Sequence, residues 1–142
     1  MTTARSWTPI HGGCQCGAVR YRLNAPAKLL SHCHCSMCRK TSGTLFVTGS
    51  KVLRGALEIL EGEDALTIFE SSPEVYRKFC RNCGCPIVMD YRSDPDHVWL
   101  FAGTIDGGAH PGHPEDGVIQ VLVGSRVPWH VIPDGGRLFE KM

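Results

Sequence analysis

The sequence predicts an all-β fold with little helix. Sixteen glycines and nine prolines among 142 residues interrupt the chain at short intervals, as turns do in proteins built from short strands. Between these interruptions, runs of β-branched and aromatic residues alternate with polar ones, which is the pattern of half-buried strands. Only residues 36–41 have a helical pattern, long enough for about one or two turns. We therefore expect a single all-β domain over residues 1–142, an ordinary size for one domain.

The predicted strands follow one another along the whole chain. Residues 18–23 (AVRYRL) alternate apolar and polar side chains most clearly. The segment that contains Cys33 and Cys35 is interpreted as extended, and residues 106–116, rich in Gly, Pro and His, are expected to form a long surface loop. Further strands are predicted at residues 45–48, 57–60, 66–69, 87–91, 98–101 and 118–123.

Eight cysteines lie in three tight groups, and this spacing is typical of metal sites. Cysteines one or two residues apart aim two sulfurs at one ion, and zinc binds such thiolates at about 2.3 Å in a tetrahedron. A disulfide framework is the alternative, but it needs an oxidising compartment, and residues 1–10 lack the apolar segment of a signal peptide. We therefore expect reduced thiols, a cytoplasmic protein and two zinc sites. The groups are Cys14 and Cys16; Cys33, Cys35 and Cys38; and Cys80, Cys83 and Cys85.

The charge balance and the hydropathy exclude two classes of partner. Fifteen Lys and Arg against fourteen Asp and Glu give a net charge of +1, without the basic face that nucleic-acid binding needs. Arg77, Lys78 and Arg81 form one short basic cluster, which we interpret as the solvated face of a strand. No run approaches the roughly 18 apolar residues of a membrane span. Nucleic acid and membrane are therefore not expected as partners, and a homo-oligomer is compatible with the sequence.

Two cysteine pairs, each followed at once by glycine, are expected to form a closed four-thiolate site. Cys14 and Cys16 precede one glycine, and Cys80 and Cys83 precede another. Glycine permits a tight turn and leaves backbone N–H groups free to donate to sulfur. A zinc site with four protein ligands has no open position, so it is structural. The spacing does not fix the pairing, because the middle group can also partner the third.

The middle group has an odd number of thiols. On an extended strand Cys33 and Cys35 point to the same face, and a turn after them brings Cys38 to the same ion. Three ligands leave a fourth position open, which is the usual arrangement of catalytic zinc. Three thiolates also favour a soft fourth ligand, such as a substrate thiolate.

Several residues beside the cysteine groups carry their own expectations. Cys85 is interpreted as a buried or packing side chain, although the count of thiols also allows it as a fourth ligand. His32 and His34 point away from the middle thiols and are expected to pack or to form hydrogen bonds. Residues 39–42 (RKTS) are candidates for orienting substrate oxygens, with Lys40 interpreted as a solvent-exposed charge.

Six motifs occur in order at residues 13–17 (GCQCG), 33–43 (CHCSMCRKTSG), 72–84 (SPEVYRKFCRNCG), 103–106 (GTID), 125–129 (SRVPW) and 134–135 (DG). They include seven of the eight cysteines and extend over about residues 10–140. In this order and at this spacing they resemble the glutathione-dependent formaldehyde-activating enzyme family.

The resemblance implies both a fold and a reaction. It implies a β-tent of antiparallel sheets held by zinc, with the two glycine-flanked cysteine pairs as the structural site. It also implies that Cys33, Cys35 and Cys38 hold a second, more labile zinc at which chemistry occurs. The implied reaction joins glutathione and formaldehyde into S-hydroxymethylglutathione, and in the reverse direction it is a carbon–sulfur lyase reaction. A thiol such as glutathione and an aldehyde are therefore the expected partners.

Two other functions are compatible with the sequence. Related β-tent folds include zinc-containing methionine sulfoxide reductases, so a thiol redox enzyme that uses Cys85 or a metal-free middle group is one alternative. A non-catalytic, zinc-stabilised binding module is the other. Zinc content with and without glutathione separates the enzyme from the module, and thiol titration during turnover identifies the redox enzyme.

Overall fold

Eleven strands and a short α-helix make up residues 5–133 and 137–140, the part of the chain that the computed structural model describes. This composition confirms the all-β expectation, while the motif at 134–135 lies outside the described residues. In the described part, no helix is long and apolar enough to cross a membrane. The elements are β1 (Ile10–Gly13), β2 (Arg20–Leu23), β3 (Leu29–Cys33), α1 (Ser36–Ser42), β4 (Val47–Leu53), β5 (Leu57–Glu61), β6 (Leu66–Ser72), β7 (Val75–Cys80), β8 (Pro86–Tyr91), β9 (His97–Phe101), β10 (Ile119–Val121) and β11 (Leu138–Phe139).

The strands form two open sheets. The small sheet has the order β1-β2-β5, and both of its pairings are antiparallel. The large sheet has the order β11-β10-β3-β4-β9-β8-β7-β6 and is antiparallel from β3 to β6. At its other edge β10 runs parallel to β3 and to β11. The antiparallel sheets that the family resemblance implies are therefore present, with a parallel edge added.

The connections are short, apart from those between β9 and β10 and between β10 and β11. Residues 106–116 contain two 3₁₀ turns, in keeping with the predicted loop, although Pro111 and Gly112 within it are buried. All the 3₁₀ turns together lie at Arg54–Ala56, Glu63–Ala65, Ala102–Thr104, Asp106–Gly108, Pro114–Asp116 and Val123–Ser125.

The main core combines apolar side chains from both sheets. Tyr21 and Leu23 of β2 pack in one cluster with Val52 and Leu100 of the large sheet, and all four are fully buried. The Tyr21 hydroxyl and the Thr104 hydroxyl are 2.7 Å apart and form a hydrogen bond, so the buried phenol is satisfied. This core holds the small sheet against one face of the large sheet.

The opposite face of the large sheet carries α1, and we call it the helix-covered face. Successive side chains of a strand point to opposite faces of the sheet, and Val88 and Met89 of β8 show this. Val88 belongs to the main core, whereas Met89 belongs to a second cluster with Val47, Phe101 and the helix residue Cys38. This second cluster is the packing that fixes the helix on the sheet.

The side chain of Cys35 caps the N-terminus of the helix. Cys35 is the N-cap residue, in extended conformation, and its Sγ accepts a hydrogen bond of 3.2 Å from the backbone N–H of Cys38. The helix ends at Gly43, whose φ of 74° is left-handed and whose N–H donates to the Arg39 carbonyl. The predicted short helix is thus confirmed, and its first turn is built from two of the cysteines.

Candidate metal centres

The two glycine-flanked cysteine pairs come together in the fold. The sulfurs of Cys14, Cys16, Cys80 and Cys83 all lie within 4.8 Å of one another. Two of the separations are 3.6 Å, between Cys14 and Cys16, and 3.7 Å, between Cys16 and Cys80. Four ligands at about 2.3 Å in a tetrahedron stand about 3.8 Å apart, so this donor set fits zinc. The pairing that the sequence left open is therefore the first group with the third.

Backbone N–H groups support the thiolate form of this four-thiol cluster. The N–H of Val19 donates to the sulfur of Cys14 over 3.2 Å. The backbone N–H groups of Cys16 and Cys85 donate to the sulfur of Cys83 and lower the pKa of that thiol to about 6. Thiolates are the form that binds metal, so the surrounding backbone favours metal binding.

The two glycines that follow the pairs adopt the left-handed conformation that the predicted tight turns require. Gly17 has a φ of 84° and Gly84 a φ of 78°. A Cβ atom built on either residue would meet nothing within 4 Å, so the backbone conformation rather than space calls for glycine. Their N–H groups close the turns on the carbonyls of Cys14 and Cys80 over 3.2 and 2.7 Å.

The middle cysteines form a separate three-thiol cluster where β3 meets α1. Cys33 ends β3, Cys35 caps the helix and Cys38 lies in its first turn, and the three sulfurs are within 4.8 Å of one another. Cys33 and Cys35 are half-buried, and Cys38 is buried. Cys85 belongs to neither cluster and packs, half-buried, against the main core, which agrees with its interpretation as a packing residue.

The proximity of the three thiols in this cluster opposes their joint ionisation. Hydrogen bonding with Cys33 and Cys38 lowers the pKa of Cys35 to about 2, and the same contacts raise the pKa of Cys33. Thiols this close cannot all ionise unless a positive charge lies among them, because like charges disfavour one another. Three sulfur donors around one point are a donor set that zinc accepts. This cluster therefore also fits a zinc ion, which would have three protein ligands.

A buried arginine contacts this cluster. Arg77 of β7 is only 5% exposed. Its Nε donates to the Ser71 hydroxyl over 2.9 Å, its Nη1 to the Met89 thioether over 2.9 Å, and its Nη2 to the Cys38 sulfur over 3.7 Å. The guanidinium is thus held beside a candidate metal ligand.

The interpretation of the basic cluster as a solvated face was wrong for Arg77. Lys78 is half-buried and Arg81 is exposed, so the interpretation as solvated side chains fits these two residues better than Arg77. One signal for Arg77 was present in the sequence. Val75, Arg77 and Phe79 alternate along β7, so strand geometry gives Arg77 the same face as two apolar side chains.

A cavity of about 520 Å³ opens beside the three-thiol cluster. Two of its lining residues connect it to the cluster: Arg77 donates to the Cys38 sulfur, and Phe101 belongs to the same apolar cluster as Cys38. Apolar rings dominate the rest of the wall, and α1 supplies a polar rim. The other lining residues used below are Phe69, Phe79, Pro86, Lys40, Lys78 and Thr41.

Two of the four helix residues that were candidates for orienting substrate oxygens, Thr41 and Ser42, form hydrogen bonds within the helix. The Thr41 hydroxyl donates to the Met37 carbonyl over 2.8 Å, and the Ser42 hydroxyl donates to the Cys38 carbonyl over 2.6 Å. Lys40 is exposed, as the sequence interpretation has it, and it lies at the cavity.

The two histidines next to the cysteines form hydrogen bonds, as expected. His34 is fully buried, and its Nε2 donates to the Gln120 side-chain oxygen over 2.7 Å. The amide nitrogen of Gln120 then donates to Nδ1 of His32 over 3.0 Å. Burial lowers the pKa of His32. Gln120 therefore ties β10 to the segment that carries the three-thiol cluster, a role that sequence reasoning did not identify.

The fold and the clusters together define a class of protein: a two-sheet β protein with one four-cysteine centre and one three-cysteine centre beside a cavity. The model of the glutathione-dependent formaldehyde-activating enzyme family matches residues 9–118. The chain belongs to this family, as its motifs indicated.

Known proteins show the same relationship. A protein of Halomonas elongata, whose name provisionally assigns it the family's activity, is 34% identical over 132 residues, which cover 84% of this chain and 78% of that protein. A Schizosaccharomyces pombe protein named an uncharacterized lyase is 29% identical over 96 residues, 65% of this chain and 68% of that protein. A crystal structure of a Rhodobacter sphaeroides protein matches with a TM-score of 0.59 and 23% identity, covering 79% of this chain and 100% of that one. This last likeness supports the fold alone.

Proposed function

We propose that this protein is a zinc-dependent carbon–sulfur lyase that acts on the adduct of glutathione, or of another thiol, with an aldehyde such as formaldehyde. Cys33, Cys35 and Cys38 are the proposed catalytic metal ligands, and Cys14, Cys16, Cys80 and Cys83 the structural ones. Family membership and the lyase name of a relative support the reaction class.

One observation carries the proposal: a residue of the cavity wall, Arg77, forms a hydrogen bond with Cys38 of the three-thiol cluster. Phe101, which also lines the cavity, belongs to the same apolar cluster as Cys38. A zinc site with three protein ligands has a position for a further ligand, and such sites are usually catalytic. A molecule in the cavity can therefore reach the cluster at which a fourth ligand is missing.

Zinc bound there would lower the pKa of a thiol that joins the cluster and so favour the nucleophilic thiolate. In the synthetic direction the thiol sulfur forms a bond to the aldehyde carbon, the carbonyl π pair moves to the oxygen, and the thiol proton is transferred to that oxygen. The lyase direction reverses each change. The protein supplies proximity, since the cavity walls hold thiol and aldehyde together, and this is a large source of rate enhancement.

The test compares turnover of S-hydroxymethylglutathione by the zinc-loaded wild type and Cys35→Ser. We expect the variant to lose the second zinc and the acceleration over the uncatalysed reaction, because one of three ligands is replaced by a weaker one. Cys85→Ala is the matched control, since Cys85 lies outside both clusters, and it should keep both zinc and turnover. Circular dichroism confirms folding of each variant.

Two results contradict the proposal. Acceleration that survives in Cys35→Ser would place the chemistry elsewhere. A wild type that carries two zinc ions and does not accelerate the reaction would remove this adduct as its substrate. Reversible disulfide formation during turnover would instead identify a thiol redox enzyme.

A further inference from the structure

Arg77 places a positive charge in the interior that no described carboxylate balances. Its side chain is 5% exposed, and none of the ion pairs within residues 5–133 and 137–140 includes it. A guanidinium keeps its charge at all ordinary pH values. The nearest negative charge is that of the three-thiol cluster, of which a bound zinc ion would leave one unit beside Arg77. Lys40 and Lys78 line the same cavity, so positive charge remains there for a further anion.

The known contacts of Arg77 leave part of its hydrogen-bonding capacity free. A guanidinium carries five N–H donors, and here three contacts are made, to Ser71, Met89 and Cys38. Two of these acceptors are sulfur atoms, and a thioether such as that of Met89 accepts hydrogen bonds only weakly. An oxyanion would be a much better partner, because guanidinium donors match a carboxylate in a planar, two-bond arrangement.

The surroundings of Arg77 favour a ligand anion over a protein one. Phe69 lies opposite Arg77 on β6, and Phe79 and Phe101 line the same cavity. Lys40 of α1 and Lys78 of β7 add two further positive charges at the cavity. Apolar walls lower the local dielectric constant and so strengthen the attraction between a guanidinium and an incoming anion.

We propose that Arg77 binds a carboxylate of the thiol that occupies the cavity, so that the substrate class is acidic thiols. This inference rests on the proposed function, because it concerns the same site. Nη2 of Arg77 is 3.7 Å from the Cys38 sulfur, so a carboxylate a few bonds from a thiol at the cluster lies within reach of the guanidinium. Lys40 at the rim attracts the anion from solvent, and Arg77 fixes it beside the sulfur.

The test uses two thiols that differ only in charge: N-acetylcysteine and N-acetylcysteine amide. Each is titrated calorimetrically into the zinc-loaded protein, and zinc content is measured before and after. The wild type should bind the acid about tenfold to a hundredfold more tightly than the amide, the range expected for a hydrogen-bonded charge pair. Arg77→Met should abolish the preference, and Arg77→Lys should retain part of it, since the charge stays while the planar donors are lost.

Two further variants separate binding from folding. Arg81 is exposed in the turn that directly follows β7. Arg81→Met therefore removes a positive charge outside the cavity lining and should keep the full preference for the acid. Arg77→Gln keeps polar donors without the charge and replaces Arg77→Met if that variant does not fold. A purely structural role of Arg77 would lower the melting temperature but leave the ratio of acid to amide affinity unchanged.

The proposal is overturned if the wild type binds both probes equally, if it binds neither, or if the preference persists in the neutral variants. Turnover of S-hydroxymethylglutathione is measured in parallel. A charge preference without turnover would leave the anion site in place and remove the proposed reaction. Turnover without a charge preference would support the proposed reaction and overturn the anion site at Arg77.

Discussion

Replacement of Cys83 by alanine tests whether the four-thiol cluster holds the fold together. Cys83 is an exposed member of that cluster, so its side chain contributes almost no buried surface. Cys83→Ala therefore removes one ligand with little loss of packing, whereas the same change at the buried Cys80 would remove both. A large loss of stability in Cys83→Ala would report the loss of the metal cross-link.

The size of the effect follows from the loop that the cluster closes. Cys16 and Cys80, whose sulfurs are 3.7 Å apart, are 64 residues apart in the chain. Cross-linking a loop of that length stabilises a fold by about 4 kcal/mol through the entropy of the unfolded chain. For 142 residues, with an unfolding entropy of about 2 cal/mol/K per residue, this corresponds to a fall in Tm of about 14 °C. Zinc that stays bound to the three remaining thiols of the variant would make the fall smaller, so zinc content is measured with each Tm.

The assay is thermal unfolding of purified wild type, Cys83→Ala and Cys85→Ala, with zinc content measured for each. Cys85→Ala is the control because Cys85 is half-buried outside the cluster, and loss of its small side chain should cost about 1 kcal/mol, or about 3 °C. A Cys83→Ala protein with full zinc content, and with a Tm no lower than that of the control, would refute the structural role of the four-thiol cluster.

Three further predictions concern the second cluster, one turn and one ion pair. Graded chelation of the zinc-loaded protein should remove metal in two steps, the three-thiol cluster first because it has fewer protein ligands, and a single step coincident with unfolding would contradict this. Gly84→Ala should cost about 1 kcal/mol, or about 3 °C in Tm, because φ is 78° there, whereas Gly103→Ala, at an open position with ordinary φ, should leave Tm unchanged or raise it. Hydrogen bonds from Arg54 hold the pKa of Asp90 below its usual range, so this pair stabilises the fold above the unfolded carboxyl pKa of about 3.9 and ceases to do so as the pH falls through the lower folded value. The difference in Tm between wild type and Asp90→Asn should therefore be small, since Arg54 is partly exposed, and should vanish in strong acid; a difference that persists there would contradict the assignment.

Most strands could be predicted because their side chains alternate. The runs at 57–60, 66–69, 87–91 and 98–101 all fall within observed strands. The sequence analysis did not delimit β1, β7 or β11 as strands, although it placed Arg77 and Lys78 on the face of a strand. β1 is the glycine-containing segment Ile10–Gly13, and β7 contains three consecutive polar or charged positions that obscure its alternation. Sheet pairing gives these segments their extended form, and pairing depends on partners far away in the chain.

The pairing of the cysteine groups required the fold. Spacing alone identified eight thiols that could bind metal, but it left open whether the third group partners the first or the middle one. The packing of the two sheets determines which cysteine groups meet. Cys14 and Cys16 lie between β1 and β2 of the small sheet, whereas Cys80 ends β7 of the large sheet and Cys83 lies in the turn that follows. Their meeting is a consequence of how the sheets pack, which no local pattern encodes.

Arg77 was not identified, despite its alternation with Val75 and Phe79, because sequence analysis assumes by default that a charged side chain is solvated. Its burial depends on α1 and β6, which contribute Lys40 and Phe69 to the cavity around it. The contact with Cys38 joins positions 39 residues apart. Only the register of the large sheet, which sets Arg77 opposite Phe69 and Met89, places the guanidinium on the face that carries the helix.

The positions of the two clusters explain why similar ligands would serve different purposes. The four-thiol cluster bridges the small and large sheets, so its loss separates two layers that share the main core. The three-thiol cluster lies within residues 33–38, on one sheet and the helix that covers it, and closes no long loop. A metal ion that links such a short segment restricts the unfolded chain little and so adds little to the stability of the fold. The fold can therefore tolerate a metal ion whose fourth ligand exchanges at that site. A centre that need not support the fold is free to change ligands during a reaction, and it is this centre that adjoins the cavity and Arg77.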